Sequence, residues 1–394
     1  MADQITKILK GWKTTTLGEV LCPISNTFNF NGVDKVHFLN TGDILDGKLL
    51  HNNLVPTKTL PGQAKKKFKP NDILYSEIRP ANKRYMLVNF DSSNSVASTK
   101  LMVLRTKENV DVIYIYKYIT FREMLNEFQM IAESRSGTFP QITFDSISKI
   151  ELSLPPLPEQ RAIVEVLSSL DDKIDLLREQ IKTLEATAQE IFKEWFVNFN
   201  FPDSTRKMIN SELGQIPEGW KVGTVNDVIE RETLSYRCNQ DDLSIKGKTP
   251  IIDQGANGIY GYTEREPDFQ ASKDNPVILF TNHTCNMWFV NYPFCAIQNV
   301  IPFRSNYQYD IFFVFYMTLG RVSFIEYKGH WPDFEQKEYV IPKPEIANKF
   351  AEFVKPLQYK IWNNTNQIKT LSALRNTLLP KMMRGEIRVK GFND

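Results

Sequence analysis

The sequence predicts an α+β protein in which two mixed α/β globules alternate with two long helices. Three observations predict this fold: the chain repeats itself, two long stretches carry an apolar heptad pattern, and the stretches between them hold many short apolar runs separated by turn residues. We expect the two helices to pair as an antiparallel coiled coil, so that the chain forms a pseudo-two-fold internal repeat.

The repeat consists of three pairs of matching segments that occur in the same order. Gly-Trp-Lys at 11–13 recurs at 219–221, the proline-rich segment 154–159 resembles 341–345, and Gln-Ile-Lys-Thr-Leu at 180–184 recurs unchanged at 367–371. These landmarks divide the chain into a first globule at residues 1–155, a central repeat helix at 156–200, a second globule at 201–341, and a C-terminal repeat helix with a tail at 342–394.

The two helices are predicted from apolar residues at alternating steps of four and three. In the first helix this seam consists of Ile163, Leu167, Leu170, Ile174, Leu177, Ile181, Leu184, Ala188, Ile191 and Trp195. In the second it consists of Phe350, Val354, Leu357, Ile361, Ile368, Leu371 and Leu378, with Asn364 and Arg375 as polar exceptions. A polar residue in such a seam costs stability but sets the register of pairing. Long core helices packed on the globules are the alternative, and the unbroken seam favours a helix pair.

The ends of these helices and the elements of the globules follow from local signals. Pro158 and Pro344 suit a first helical turn, and Gly385 suits a left-handed cap at the end of the second helix. Apolar runs predict strands at 72–75, 100–104 and 276–280. We expect further helices over residues 112–133 and 311–324.

Composition excludes several classes of protein. The chain has 48 basic and 46 acidic side chains and 42% hydrophobic residues, which is typical of a globular protein and not of a uniformly basic nucleic-acid coat. The longest apolar run, 311–317, is too short to span a membrane. Without a signal-peptide pattern at the N-terminus, a cytoplasmic location is expected.

Cysteine and histidine spacing predicts no metal site. Cys22, Cys238, Cys285 and Cys295 show no C-x-x-C pair, so we expect reduced thiols, and the four histidines have no ligand spacing. Catalytic motifs are missing as well. The Gly-Lys-Thr at 247–249 lacks the first glycine of a phosphate-binding loop, and no Asn-Pro-Pro-aromatic methyltransferase motif occurs. The sequence therefore predicts a non-catalytic chain.

Taken together, these patterns resemble the specificity (S) subunit of type I restriction–modification systems. The resemblance rests on Leu-Pro-Pro-Leu-Pro-Glu-Gln-Arg at 154–161 and on the closing Leu-Leu-Pro-Lys-Met-Met-Arg-Gly-Glu-Ile at 378–387. Segments 72–80 and 258–262 also resemble recurrent elements of the family's target-recognition domains. One departure is that the second proline-rich segment lacks the Gln-Arg of the first, so docking at the second site is expected to differ in detail.

The resemblance implies partners and cofactors. The two globules would be target-recognition domains that each read half of a bipartite double-stranded DNA site from the major groove. Methyltransferase (M) subunits, expected to number two, would dock on the chain and carry S-adenosylmethionine. Restriction (R) subunits would carry ATP and Mg²⁺, and this chain would hold no cofactor and no metal.

Candidate DNA-binding residues in the first globule are basic or small and polar. They are the run Lys65, Lys66, Lys67 and Lys69, then Arg79, Lys83 and Arg84 after a predicted strand, and Arg135, Ser136 and Gln141 in a glycine-containing segment. In the second globule they are Asn257, Tyr260, Tyr262, Asn282, His283, Thr284, Lys328 and His330. A solvated loop or a structural role is the alternative for each of them.

Two other functions remain open at this point. A coiled-coil adaptor or scaffold that binds proteins explains the seam but not the duplicated globules. A fused restriction–methyltransferase enzyme would need the motifs that are missing. Charge is unevenly distributed: residues 1–150 carry 20 basic and 14 acidic side chains, and residues 201–340 carry 13 and 18. Residues 151–200 carry 5 basic and 10 acidic side chains and residues 341–394 carry 10 and 4, which favours pairing of the two helices with each other.

The predicted helix length leads to a test of DNA-site spacing. A helix of about 38 residues spans roughly 57 Å, which, less its engaged ends, suits half-sites about 34–36 Å apart. Deletion of one heptad from both helices should shift the spacer of the recognised site or abolish binding, as measured by mapping the sites that the assembled complex methylates. Retention of the original spacing would contradict a role of the helices as a ruler.

Overall fold

The computed structural model describes residues 9–134, 140–233, 236, 238–255, 258–326 and 328–392. Within these residues the chain forms eight α-helices: α1 (Leu17–Val20), α2 (Val112–Thr120), α3 (Arg122–Glu133), α4 (Phe144–Ile147), α5 (Leu157–Phe196), α6 (Ile311–Thr318), α7 (Trp331–Glu335) and α8 (Pro344–Met383). None of the described helices is long and apolar enough to cross a membrane. The chain divides into unit 1, Met1–Asp175 with Lys369–Asp394, and unit 2, Leu176–Ile368.

Unit 1 contains two four-stranded sheets and two strand pairs. Its strands are β1 (Lys13–Thr16), β2 (Leu21–Pro23), β3 (Lys35–Leu39), β4 (Ile44–Leu45), β5 (Lys48–Leu49), β6 (Leu54–Pro56), β7 (Ala64–Lys66), β8 (Ile73–Ser76), β9 (Tyr85–Leu87), β10 (Ser95–Ser98), β11 (Leu101–Thr106) and β12 (Glu151–Leu154). One sheet has the order β2-β11-β8-β9 and the other β6-β3-β10-β7, while β1 pairs with β12 and β4 with β5. In the second sheet β3 and β10 run parallel.

Strand β8 is buried on both faces, which explains its continuous apolar run. Successive side chains of a strand point to opposite faces. Ile73 and Tyr75 accordingly pack with the core that includes Phe128 of α3, and Leu74 packs into a second core with Phe68. A slip of one residue in register would exchange the two faces, so the position where the chain leaves β8 is strongly specified.

Unit 2 contains the strands β13 (Met208–Ser211), β14 (Gly214–Pro217), β15 (Lys221–Thr224), β16 (Ile229–Arg231), β17 (Thr249–Ile252), β18 (Ile259–Thr263), β19 (Val277–Thr281), β20 (Met287–Val290), β21 (Cys295–Ala296), β22 (Val300–Ser305) and β23 (Glu338–Ile341). They form sheets of order β16-β22-β19-β20 and β18-β17-β21, with β13 paired to β14 and β15 to β23. Here too the central strand has two buried faces, because Ile278 and Phe280 pack in one core and Val277 and Leu279 in another.

The strand orders of the two units are similar, although the second sheet has four strands in unit 1 and three in unit 2. Each has an antiparallel four-stranded sheet whose third strand is buried on both faces, and a second sheet that contains one parallel pair. In each unit the strand near its Gly-Trp-Lys motif pairs with the strand before its proline-rich segment. The two units therefore share these features of topology, and the strands predicted at 72–75, 100–104 and 276–280 are confirmed within one to two residues.

Two predicted helices differ from the observed ones. The segment 112–133 forms two helices, since Phe121 adopts an extended conformation (φ −74°, ψ 158°) between α2 and α3 and its ring is buried. The helix expected over 311–324 ends earlier, at Thr318, and Gly320 turns the chain with a φ of +69°. By contrast, α5 and α8 occupy the predicted segments, and Gly385 follows α8 with the expected left-handed φ of +73°.

In unit 1 the first part of α5 contacts the last part of α8. The seam residues Ile163, Leu167 and Ile174 are buried, and Leu170, Leu371 and Leu378 are half-buried. Asp171 accepts hydrogen bonds from Lys117 of α2 at 2.5 Å and from Arg375 of α8 at 2.9 Å. Burial opposes ionisation of this carboxyl, but the two cationic donors outweigh burial and hold the pKa of Asp171 below its usual value. The charge of the polar seam residue Arg375 is thus balanced by that of Asp171.

In unit 2 the remaining seam residues are likewise withdrawn from solvent. Leu177, Phe350, Val354 and Ile361 are buried, and Ile181, Leu184, Ile191, Leu357 and Ile368 are half-buried. Asn364, the second polar exception, is fully buried, and its Nδ2 donates to Oε1 of Gln180 at 3.1 Å. Trp195 packs on Phe350 with ring centroids 5.9 Å apart. Residue numbers therefore rise along α5 as they fall along α8 within this unit, as they do within unit 1.

A buried carboxylate joins the start of α5 to the C-terminal tail in unit 1. Glu159 is fully buried, accepts a hydrogen bond from the Trp12 indole at 2.9 Å, and pairs with both Nε and Nη2 of Arg388 at 2.8 and 2.7 Å. Charge-assisted bidentate pairs of this kind are stronger than neutral hydrogen bonds. The Gly-Trp-Lys motif, the proline-rich segment and the tail therefore meet at one side chain.

The Gln-Arg difference between the two proline-rich segments has a structural explanation. Gln160 is buried, its amide oxygen accepts the backbone N–H of Asp111 at 2.8 Å, and its amide nitrogen donates to the Pro155 carbonyl at 2.9 Å. In unit 2 the amide oxygen of Asn348 accepts the backbone N–H of Asp310 at 2.8 Å. Asp111 and Asp310 cap α2 and α6, so an amide holds the same cap in both units, one residue later in the second.

The Glu159 cluster leads to a stability test. Arg388→Ala should lower the free energy of unfolding by about 2–4 kcal/mol, because the buried carboxylate loses its charged partner. Arg384→Ala is the matched control: this arginine is exposed, pairs with Glu386, and should cost no more than about 0.5 kcal/mol. Chemical denaturation of the two variants measures the difference, and equal losses would contradict the role assigned to Glu159.

Candidate nucleic-acid interface

The turn after β8 presents the first group of predicted DNA-binding residues. A short 3₁₀ helix, Pro80–Asn82, follows the strand, and Arg79 and Lys83 flank it with left-handed backbone φ values of 45° and 54°. Residues other than glycine rarely adopt this conformation and keep it only where the surrounding structure holds them, often at functional sites. The turn is therefore a held surface feature with a basic residue at each end.

Contacts from a distant segment hold this turn. The backbone N–H of Arg79 donates to the Pro140 carbonyl at 3.0 Å, and Ile78 forms an antiparallel bridge with Gln141. The structure thus brings together two candidates, Arg79 and Gln141, that are far apart in sequence. Two further candidates, Arg135 and Ser136, lie outside the described residues.

Lys83 and Arg84 differ in their surroundings. Lys83 is exposed, with its Nζ 3.4 Å from a carboxylate oxygen of Asp46. Arg84 is half-buried, and its Nη1 donates to the backbone carbonyls of Gly42 and Ile44 at 3.2 and 2.9 Å. Arg84 therefore fastens a neighbouring loop, whereas Lys83 lies where a phosphate can approach. Sequence reasoning missed Asp46, which also accepts a hydrogen bond from Tyr85.

The lysine run also divides into two kinds of residue. Lys65, Lys67 and Lys69 are exposed. Lys66 lies on β7, is half-buried, and donates from Nζ to the Leu101 carbonyl at 2.8 Å, with Glu77 at 3.7 Å. Lys66 thus ties two sheets of unit 1 together, and the other three lysines supply positive charge at the surface.

In unit 2 the turn after β19 brings together most of the remaining candidates. The carbonyl of Asn282 accepts the backbone N–H of His330 at 2.8 Å, and its side-chain oxygen accepts that of Trp331 at 2.8 Å. His330 is fully buried, with Nε2 3.1 Å from the Glu326 carbonyl. Asn282 and His330 therefore hold the start of α7 against the turn. Lys328 is exposed and paired with Asp333 at 3.1 Å, whose hydrogen bond raises the pKa of Lys328.

His283 has a defined ring orientation in this turn. Its Nδ1 lies 2.7 Å from the carbonyl oxygen of Lys328. Because a carbonyl oxygen only accepts, Nδ1 carries a proton and donates this hydrogen bond, which fixes the orientation of the ring. The backbone N–H of His283 donates to Oε1 of Gln254 at 3.0 Å. Gln254 was missed by sequence reasoning, and the only signal was its place beside the glycines at 255 and 258.

The other candidates of unit 2 lie beside this turn or on β18. The exposed Thr284 shares a 2.6 Å hydroxyl contact with Thr281. On β18, Tyr260 is exposed and Tyr262 is half-buried, with its backbone paired to Ser244. Asn257 lies outside the described residues. Exposed Tyr260 thus offers both a ring and a hydroxyl at the surface.

Both units show the same arrangement at the same place in their topology. In each, the turn after the central strand is hydrogen-bonded to the segment that precedes the last short helix, α4 in unit 1 and α7 in unit 2. The first turn carries Arg79 and Lys83, and the second carries His283 and Thr284. Duplicated turns of this kind can supply hydrogen-bonding groups to two separate positions on a ligand.

Comparison with known proteins finds similar domains and chains in one family. The model of the type I restriction modification DNA specificity domain matches residues 9–186. The type I restriction enzyme HindI specificity subunit of Haemophilus influenzae is 47% identical over 243 residues, which cover 61% of this chain and 49% of that protein. Residues 9–186 thus match the DNA specificity domain of type I restriction–modification systems, and the chain is similar to their specificity subunits.

Other specificity subunits agree with this assignment. The MjaIX specificity subunit of Methanocaldococcus jannaschii is 28% identical over 302 residues, 70% of this chain and 68% of that protein. The crystal structure of a type I restriction–modification S subunit from M. genitalium has a TM-score of 0.59 at 14% identity, covering 97% of this chain and 98% of that one, and so shares the fold. The match spans about half the length of the H. influenzae protein.

The divided lysine run leads to a test of DNA contact. Replacement of Lys65, Lys67 and Lys69 by Ala should make the salt dependence of DNA binding shallower, by about 0.9 in the log–log slope for each phosphate that the variant no longer neutralises. The assay is duplex binding, at several salt concentrations, by the chain assembled with its partner subunits.

Lys66→Ala is the matched control for this experiment. Its Nζ is held by Leu101 and Glu77, so this variant should lower the melting temperature and leave the salt slope unchanged. A slope unaffected by the triple substitution would identify the run as a solvated loop.

Proposed function

We propose that the chain is the DNA sequence-recognition subunit of a type I restriction–modification complex and reads a bipartite site with its two globules. The observation that carries this proposal is the duplicated turn: two units of one strand order each hold a polar turn against the segment before the last short helix. Similarity to the specificity subunits of type I restriction–modification systems supports it. Two polar surfaces repeated within one chain suit a DNA site with two half-sites.

The division of labour follows the predicted boundaries. Residues 1–155 and 201–341 act as the two target-recognition domains, and residues 156–200 and 342–394 supply two helices that pair as an antiparallel coiled coil with pseudo-two-fold symmetry. Burial of the seam within each unit supports this pairing, as do the Asp171–Arg375 and Asn364–Gln180 contacts. A buried polar pair of this kind sets register at some cost in stability.

Within the recognition turns, side chains take different roles. Arg79 and Lys83 in unit 1, with the exposed lysines of the run, contact phosphates or the acceptor edge of guanine in the major groove. In unit 2 His283 offers its imidazole ring to base edges, and Tyr260 contributes its hydroxyl. The half-buried Lys66 and Arg84, and the buried His330, support these surfaces from behind.

The chemistry of the complex lies on other chains. The M subunits, two per complex, dock on the helices and carry S-adenosylmethionine for adenine methylation, and the R subunits carry ATP and Mg²⁺. This chain supplies sequence recognition alone and acts in the cytoplasm with the host DNA. Because Gln160 and Asn348 both serve cap packing inside their own units, the Gln-Arg difference leaves both docking sites available in this proposal.

Reciprocal variants test the bipartite reading. The chain is expressed with its methyltransferase partner, and methylated adenines are mapped across a genome. Arg79→Ala should relax one half-site and leave the other intact, and His283→Ala should do the reverse, since removal of a base-reading side chain costs about 1–3 kcal/mol of discrimination. Each variant is the control for the other.

The outcome also separates recognition from scaffolding. Relaxation of both half-sites by one variant, or of neither by either variant, would contradict separate reading by the two units. A complex that assembles but binds duplex DNA without sequence preference would favour the protein-binding adaptor.

A further inference from the structure

Two cysteines and an aspartate from three separate segments of unit 2 converge in its interior. Cys295 lies on β21, Cys238 bridges to Ile297 of the segment after that strand, and Asp268 precedes Phe269, which bridges to Phe294. The two Sγ atoms and a carboxylate oxygen of Asp268 all lie within 4.8 Å of one another. Sequence spacing does not predict this cluster, because long-range strand pairing brings the residues together.

Burial makes this cluster unusual for its residue types. Cys295 is fully buried, Cys238 is 5% exposed, and the Asp268 side chain is 5% exposed. A buried carboxylate with two potential thiolates is a costly arrangement unless a cation balances it.

Arg265 supplies part of that balance. Its Nη1 lies 3.6 Å from the Cys238 sulfur and its Nη2 3.7 Å from a carboxylate oxygen of Asp268, while its guanidinium stacks over the Tyr236 ring at 3.6 Å. Once metal binding removes the two thiol protons, one arginine leaves two thiolates and one carboxylate short of two positive charges. A bound divalent cation brings the site to neutrality.

We propose that Cys238, Cys295 and Asp268 form a binding site for a thiophilic divalent cation, Zn²⁺ above all. Zn²⁺ takes thiolate sulfur at about 2.3 Å and carboxylate oxygen at about 2.0–2.2 Å in tetrahedral geometry. Two sulfurs on one such ion lie about 3.8 Å apart, so the ligands need to close by no more than about 1 Å from the observed spacing. Each thiol releases one proton on binding, and a water completes the fourth position.

The site would act as a clamp for the second sheet of unit 2. It joins the segment before residue 240, the loop after β18 and strand β21, and β18 carries the exposed Tyr260. Arg265 would donate to a ligand sulfur from outside the coordination sphere, as groups around zinc sites commonly do. This role is structural and does not depend on which DNA sequence the chain reads.

The experiment compares two double variants of the full chain. The metal content of the purified protein is measured after Zn²⁺ loading and removal of free metal. Wild type and Cys22→Ser/Cys285→Ser, which removes the two cysteines outside the cluster, should each hold one zinc ion per chain. Cys238→Ser/Cys295→Ser should hold less than about a tenth of that. With Co²⁺, the sulfur-to-metal charge-transfer band should be present in the first two proteins and absent from the third.

A second measurement keeps the test independent of how well the cysteine variants fold. Removal of metal from the wild type by a chelator should lower its melting temperature by several degrees, and Zn²⁺ should restore it. Asp268→Asn should retain the fold and bind Zn²⁺ at least about tenfold more weakly. Failure of the wild type to bind Zn²⁺ above the Cys238→Ser/Cys295→Ser level would overturn the proposal. So would a disulfide between Cys238 and Cys295, seen as two thiols that resist alkylation in the denatured, unreduced chain.

Discussion

Burial of the central strand on both faces is the constraint on which the rest of each unit depends. In β8 and in β19 alternate side chains enter two different cores, so a shift of one residue would place every side chain in the wrong core. That constraint determines where the chain leaves the sheet, and the turn that follows carries Arg79 in unit 1 and His283 in unit 2. The positions of the proposed DNA contacts are thus a consequence of core packing.

The polar residues in the apolar seam of the long helices each have a hydrogen-bonding partner, and these pairs set how the helices face one another. A heptad seam favours apolar residues at positions 364 and 375. Here Asn364 instead donates a hydrogen bond to Gln180, and Arg375 donates one to Asp171. Both partners, Asp171 and Gln180, lie on α5. The two polar pairs therefore restrict which residues of α5 and α8 can face one another. Glu159 acts in the same way in unit 1. Its buried carboxylate is compensated only when Trp12 and Arg388 are both in position to donate hydrogen bonds to it.

Local and long-range structure differ in how far the sequence predicts them. The long helices and central strands were predictable because their patterns repeat within a few residues of each other. The break at Phe121 was not, because the ring that interrupts the helix is held by the tertiary core. The sequence also does not predict that Lys66 and Arg84 are half-buried while Lys83 and the other lysines of the run are exposed. Lys66 and Arg84 are held by hydrogen bonds to backbone carbonyls of distant segments. The approach of Gln254 to His283 and of Cys238 to Cys295 likewise depends on strand pairing.

Charge distribution suggests that the two units contribute differently to DNA binding. Residues 201–340 have 13 basic and 18 acidic side chains, and several of the cations are already engaged within unit 2. Arg304 pairs with Glu232 and donates to three carbonyls, Lys248 pairs with Glu266, and Lys328 pairs with Asp333.

In the proposed function, cations held in this way add little to phosphate affinity, and unit 2 contributes other groups, such as those of His283 and Tyr260. Among residues 1–150, by contrast, basic side chains outnumber acidic ones by 20 to 14, and Lys65, Lys67 and Lys69 are exposed. In the proposed function, the salt dependence of DNA binding therefore comes mainly from unit 1 and the proposed partner subunits, while both units contribute to sequence discrimination.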